Sequence, residues 1–301
     1  MPLVRRKVVV QTEEERAIEI AGGEYEAVSP IGLASEVNKL GVRALRLVNA
    51  SLVASVVGLD QIEFLKVGFG LADPASILSL PRLRSLHIGG WNGDLDFGRL
   101  PDLEWLSIGD ANFASGLDGL IAQHGRLRSL TVLFYGRPDL RAIGDLPALE
   151  RLRFKQCKIR TLAGIGGAPK IAGMTFEYCA SLNSLEGIEA CANLEYLRVA
   201  NSPRLHDLAP LASTRRLRML DLETTSGIES LKPIAGHPGL QVVYFSKIAD
   251  QDLDPLGSMP MLKLVRARGG KYNREPAEFN RIGSLPPTDP IYRDLRHLID
   301  P

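Results

Sequence analysis

An excess of either charge is missing from this chain of 301 residues, in which 36 lysines and arginines face 35 aspartates and glutamates for a formal net charge of +1. Such a balance argues against the basic excess with which nucleic-acid binders hold a phosphate backbone. A 45% apolar share also argues against a disordered composition. Long hydrophobic runs are missing too. Val8, Val9 and Val10 follow Arg5, Arg6 and Lys7, but Gln11 and then Glu13 to Glu15 end a run that is too short for the core of a signal peptide. No stretch approaches the roughly 20 apolar residues of a membrane-spanning helix, so no membrane partner is expected.

Reactive residues are scarce as well. Three cysteines, none in a CxxC pair, argue against a disulfide framework or a structural zinc site and fit a reducing cytoplasm. The five histidines, His87, His124, His206, His237 and His297, are scattered, with no HExxH, no GxSxG and no cysteine in step with a histidine. Gly164, Gly166 and Gly167 begin like a phosphate loop, but Pro169 stands where its last glycine belongs. Asp250, Asp252 and Asp254 have the spacing of a calcium loop, with Pro255 and Met261 in place of its glycine and glutamate. No catalytic residue, metal ligand or cofactor is therefore expected, and the chain reads as non-enzymatic.

What the sequence does have is periodicity. From Leu149 the chain reads LERLRFKQCKIRTLAGI, from Ile171 IAGMTFEYCASLNSLEGI, and from Leu194 LEYLRVANSPRLHDLAPL. Each opens with apolar residues at positions one, four and six and carries a small residue at position nine: Cys157, Cys179 and Ser202. The leading apolar residue recurs at Val42, Ile62, Leu83, Leu103, Leu127, Leu149, Ile171, Leu194, Leu217, Leu240 and Leu262, at spacings of 20 to 24 residues. That gives eleven turns in one continuous array.

This pattern resembles the leucine-rich-repeat signature, LxxLxLxx(N/C)xL. From Leu149 onward, apolar residues spaced by three, such as Leu182, Leu185 and Ile188, resemble the bacterial 22-residue class, which is internalin-like or phosphatase-regulator-like. The resemblance implies an α/β solenoid: a right-handed horseshoe with a parallel concave sheet and a convex side that mixes extended and 3₁₀ segments. Residues 1–41 are expected to form an N-terminal cap, 42–270 the solenoid, and 271–301 a C-terminal cap and tail. Within the cap, strands are expected at Lys7 to Gln11 and around Ala17 to Ile20, with a helix after Pro30 that Gly41 ends. A short amphipathic helix is expected around Ile291, Leu295 and Leu298. The early turns are glycine-rich, as in GGWNGDLDFG from Gly89, and their convex side is expected to be extended. Cys157 and Cys179 share one register position in adjacent turns, which places them about 5 Å apart. That spacing admits a disulfide, but buried, reduced thiols are the better reading for this position, and Cys191 is inward as well.

In such a repeat, positions three, five and seven alternate away from the core onto the concave face. Large aromatics are expected to face solvent there, with Phe64, Trp105 and Tyr196 at position three and Tyr244 at position five. Arg151, Arg153 and Lys155 form a basic turn, Arg198 follows, and Asp221 with Glu223 form an acidic turn; His87 is the one histidine on this face. Exposed aromatics and arginines dominate protein interfaces, so these ten residues other than His87 are the expected partner-binding surface. The expected role is a cytoplasmic, bacterial protein-protein interaction module, in its sharper form an inhibitor or immunity protein for a toxin or enzyme. The alternative is a nucleic-acid binder using residues 121–160, which hold nine Lys and Arg against three Asp and Glu.

Overall fold

The computed structural model describes residues 2–8, 13–68, 74–89, 96–109, 124–222 and 224–282. Glu223 and the expected helix at Ile291, Leu295 and Leu298 lie outside the described residues, as do Val9 to Gln11 of the first expected strand. Among the described residues, thirteen strands form one sheet in strict chain order. They are β1 (Leu3–Arg5), β2 (Glu24–Ala27), β3 (Ala44–Leu47), β4 (Phe64–Val67), β5 (Ser85–Ile88), β6 (Trp105–Gly109), β7 (Ser129–Leu133), β8 (Arg151–Lys155), β9 (Gly173–Glu177), β10 (Tyr196–Ala200), β11 (Met219–Leu222), β12 (Val242–Phe245) and β13 (Leu264–Ala267). β1 pairs antiparallel with β2, and every later pair is parallel. β3 to β13 are the eleven strands of the repeat.

The register follows from burial. A single turn of four or five strand residues has no partner for its apolar side chains, so it is stable only when stacked on its neighbours. Leu152, Met174, Leu197 and Leu220 are in register and form one buried column at position four. At position six, the rings of Phe154 and Phe176 stack 5.9 Å apart and nearly parallel.

Each turn must also leave the sheet. At position eight the backbone enters the left-handed region in side chains that are not glycine: Phe134, Gln156, Tyr178, Asn201 and Thr224 have φ between 52° and 65°. This conformation costs about 1 to 2 kcal/mol per residue. Hydrogen bonds to the next turn offset it: the N–H groups of Phe134, Gln156 and Tyr178 donate to Lys155, Glu177 and Ala200 carbonyls at 2.8 to 2.9 Å. The next residue points inward and ties the turn backwards. Cys157 donates to the Val132 carbonyl, Cys179 to that of Phe154 and Thr225 to that of Val199. All three cysteines are free and buried, and burial pushes the Cys157 thiol up and that of Cys191 to about 12.

The convex side is helical along most of its length. After Leu149 it returns through 3₁₀ turns at Ile165–Gly167, Ile188–Ala190, Ala209–Ser213 and Lys232–Ile234, then through a short helix at Asp254–Gly257. Gly187 precedes one of these turns with φ +103°, and a Cβ there would sit 2.5 Å from the Leu162 carbonyl oxygen. The early turns correct the expectation of an extended convex side. They contain 3₁₀ turns at Ala50–Val56 and Phe97–Arg99 and a short helix at Pro74–Leu78. Local capping drives this: the Asn49 side chain accepts from the Ser51 N–H at 3.0 Å, and Asp96 accepts from Gly98 at 3.0 Å.

The N-terminal region also departs from expectation: the first strand is Leu3–Arg5, and Lys7 and Val8 of the expected strand lie outside it. Ala17 to Ile20 belongs to a helix, α1 (Glu13–Ile20), and not to a strand. The reason lies in spacing: Glu14, Ala17, Ile18 and Ala21 recur at helical intervals and meet the sheet on one side. The second helix, α2 (Leu33–Leu40), ends at left-handed Gly41 as expected.

Truncating Leu197 or Leu220 to alanine is expected to cost about 2 to 5 kcal/mol, the range for large-to-small changes in a close-packed core. Urea-induced unfolding reads this directly as a lower midpoint.

Candidate functional site on the concave face

The sheet face opposite the main core carries positions three and five. Position three is apolar at both ends of the sheet and is covered there. Towards the N-terminus, Ala44, Phe64 and Trp105 form a cluster with Ile18, against which Ala17 and Ala21 pack. Towards the C-terminus, Tyr196, Met219, Val242 and Leu264 form another, with Ile282 packed on it. The expectation that large aromatics face solvent is therefore corrected. Phe64, Trp105 and Tyr196 are 2%, 4% and 1% exposed, because water-facing aromatic columns are costly: Ile18 from outside the repeat packs with the first two, and Tyr196 packs along its own column with Met219 and Val242. Arg151 is buried as well, and Tyr244 is half-buried with the Arg266 guanidinium 5.3 Å from its ring centre.

The charges at positions five and seven are also joined within the chain. Glu177 of the intervening turn accepts from Arg153 at 2.7 Å and lies 3.6 Å from Arg198, which in turn donates to Asp221. The basic and acidic turns thus form one lateral network with each other; half-buried Lys155 stands beside Glu177 in register. Burial, with Asp221 nearby, pushes the Tyr196 hydroxyl up, and the Arg198 guanidinium acts against this shift. The basic stretch 121–160 is partly neutralised in the same way, with Arg126 on Asp102, Arg128 on Glu150, Arg141 on Asp139 and Arg153 on Glu177.

A third ladder went unnoticed in the sequence. Position two carries alternating charge along the edge of the sheet: Arg43 pairs with Glu63, Arg84 lies between Glu63 and Glu104, and Arg128 pairs with Glu150. Reading down columns, and not along turns, would have found it.

Between α1 and β8 the concave face stays open. A cavity of about 250 Å³ is bordered by Glu14, Lys66, His87, Trp105, Ser129 and Arg153. A second, of about 350 Å³, adjoins it through Lys66, His87 and Ser107. Its floor includes Gly68, Gly89 and Gly109, so the groove is deep where position seven lacks a side chain. A Cβ at Gly109 would sit 2.9 Å from the Gly89 carbonyl oxygen, which keeps the floor bare.

Glu14 holds the wall of this groove. Its carboxylate accepts from the Ser85 hydroxyl at 2.5 Å and contacts His87 Nε2 at 2.8 Å. Burial acts to raise its pKa, but His87, Lys66 and Ser85 together outweigh burial and hold it at about 2. Nearby, the buried Trp105 Nε1 has no hydrogen-bond acceptor among the described residues. Sequence reasoning placed His87 on this face but missed Glu14. The helical spacing of Glu14, Ala17, Ile18 and Ala21 was the available signal.

Among the described residues, no three His, Cys, Asp or Glu side chains come together as a metal site, and no helix is long and apolar enough to cross a membrane. No protein-family model matches the chain, and no curated protein matches it. Solved structures do. An internalin, InlF, of Listeria monocytogenes is 16% identical with a TM-score of 0.56, over 89% of this chain and 85% of that one. A leucine-rich-repeat protein of Leptospira interrogans is 15% identical with a TM-score of 0.59, over 85% and 68%. The plant peptide hormone receptor RGFR1, in complex with RGF2, is 16% identical with a TM-score of 0.51, over 75% of this chain and 40% of that one. The fold is that of a leucine-rich-repeat solenoid.

Two outcomes follow from this geometry. Arg198→Ala removes the guanidinium that donates to the buried carboxylate of Asp221, which is 2% exposed. Although one third of Arg198 is exposed, the loss is expected to be roughly 2 kcal/mol, more than for an ordinary surface pair, in the same urea experiment. For Glu14 the folded pKa lies below the ordinary 4.5, so its contribution is present above pH 4.5 and lost as the pH falls towards about 2. Tryptophan emission in a Trp91→Phe background should show α1 leaving Trp105 across that window, and Glu14→Gln should abolish the step.

Proposed function

We propose that this chain is a non-enzymatic protein-binding module whose docking surface is the open concave groove over β4 to β8. The observation that carries this reading is the groove itself. Lys66, His87, Ser107, Thr131 and Arg153 converge on it from five successive strands. Their backbones are fixed by the sheet ladder, so little ordering entropy is lost when a partner docks. The similarity to a peptide hormone receptor solved in complex supports the same use of the fold.

Of the expected partner-binding residues, Arg153 lies in the groove wall, and Lys155 follows it on the same strand. Trp105 contributes from beneath, while Phe64, Tyr196, Arg151 and Asp221 support the face from buried positions. In the sharper form of this proposal, the chain is a bacterial cytoplasmic inhibitor or immunity protein that clasps one toxin or enzyme. Its mixed surface, with cations along the groove and Glu14 and Glu15 on one wall, suits a protein partner better than a uniform polyanion.

The test is capture of partners from the native host, followed by a groove-filling substitution. Thr131→Arg is half-buried at the groove floor and should weaken capture at least tenfold with an unchanged melting temperature. Capture that survives Thr131→Arg, or that is matched by salt-dependent binding to nucleic acid, contradicts the proposal.

A further inference from the structure

We propose that α1 occupies the place of a partner's helix on the concave face, and that the partner presents an acidic residue followed four positions later by a branched aliphatic one. This deepens the reading of the concave face as a protein-binding surface and rests on it. In α1 those residues are Glu14 and Ile18, which are four apart and so share one helical face.

The sheet beneath α1 is built to receive that pair. Ser85 and His87 meet the carboxylate at 2.5 and 2.8 Å, and Lys66 adds positive charge nearby. Ala44, Phe64 and Trp105 meet the aliphatic side chain. Aromatic residues in a desolvated pocket are the type that carries most binding energy at interfaces. Here two of them lie under a helix that is not part of the repeat. Trp105 also borders the open groove, together with Lys66 and His87.

α1 is a modest occupant of this surface. Ile18 is its one fully buried large apolar residue; the small Ala17 and Ala21, and Val8 from before the helix, pack against the same cluster, and Ile20 is 76% exposed. Among the described residues, it also leaves the indole N–H of Trp105 buried without an acceptor. An unsatisfied buried donor carries its full desolvation cost, so a helix that supplies an acceptor there gains over α1. α1 holds its place because it is tethered, at an effective concentration no free helix reaches unaided. The tether also permits release: Gly22 and Gly23 follow the helix at φ +103° and +87°, and nothing lies within 4 Å of the Cβ position at Gly22. Rotation there moves α1 without disturbing β2.

The probe is a helix-stapled peptide of residues 12–23, which carries the pair and pays little ordering cost. It is titrated into the full chain in two forms, wild type and Ile18→Asp, both with Trp91→Phe so that emission reports Trp105. The Ile18→Asp chain, whose own α1 is undocked, should bind the peptide at least tenfold more tightly than the wild type. A peptide with Glu14→Gln or Ile18→Asp should lose at least tenfold, as should a His87→Ala chain. If the Ile18→Asp chain keeps its circular dichroism but ignores the peptide, or if both chains bind it equally, the proposal is overturned. Hydrogen exchange on the unaltered chain gives a second reading that needs no variant. α1 amides should exchange at least a hundredfold faster than those of β3 to β6, and equal protection would overturn the proposal as well. A failed peptide titration beside a Thr131→Arg substitution that still abolishes partner capture would sink this inference and leave the groove standing.

Discussion

Stacking in register is the constraint on which this molecule depends. A strand of four or five residues with period-two alternation sends positions four and six to one side and three, five and seven to the other. Slipping one strand by a residue would put Leu197 among the concave charges and Arg198 into the core. The registered pairs from β2 to β13 show no such slip. The repeated left-handed residue at position eight is the local cost of this order, and the hydrogen bonds from positions eight and nine to neighbouring turns offset it.

The same constraint decides what the concave face can offer. Its position-three residues stand in a column along the sheet, and apolar ones gather into patches that water does not tolerate cheaply. At one end α1 covers Phe64 and Trp105; at the other Ile282 packs against the cluster of Tyr196 and Val242. Position five carries charge, and turns stacked about 5 Å apart bring opposite signs into contact, as in Arg153, Glu177, Arg198 and Asp221. What stays open is the stretch where positions five and seven are small, over Ser107, Thr131, Gly89 and Gly109. The groove is thus where the sheet is not covered, and α1 is its wall.

Much of this was legible before any coordinates. The eleven turns, their register and the inward column from Leu152 to Leu220 follow from apolar spacing alone, because the repeat writes the same burial problem eleven times. The 3₁₀ returns after Leu149 were legible for the same reason. What escaped lies outside the repeat or between turns. Ile18 packs with Phe64 and Trp105, and Ile282 packs on the cluster that holds Tyr196; neither belongs to the signature, so Phe64, Trp105 and Tyr196 read as exposed. The tie between Arg153 and Arg198 escaped because charges were grouped along turns, while contact runs down columns. The early convex turns depart from the extended chain that their glycine content suggests, because Asn49 and Asp96 supply caps.

The central claim is that the groove beside α1 is the surface built to bind. Hydrogen exchange of the chain with and without its captured protein partner tests that claim most directly, since it reads every segment at once. Protection centred on β4 to β8, together with faster exchange in α1, is the predicted result. Protection confined to the convex 3₁₀ turns or to β12 and β13, with α1 unchanged, would contradict it.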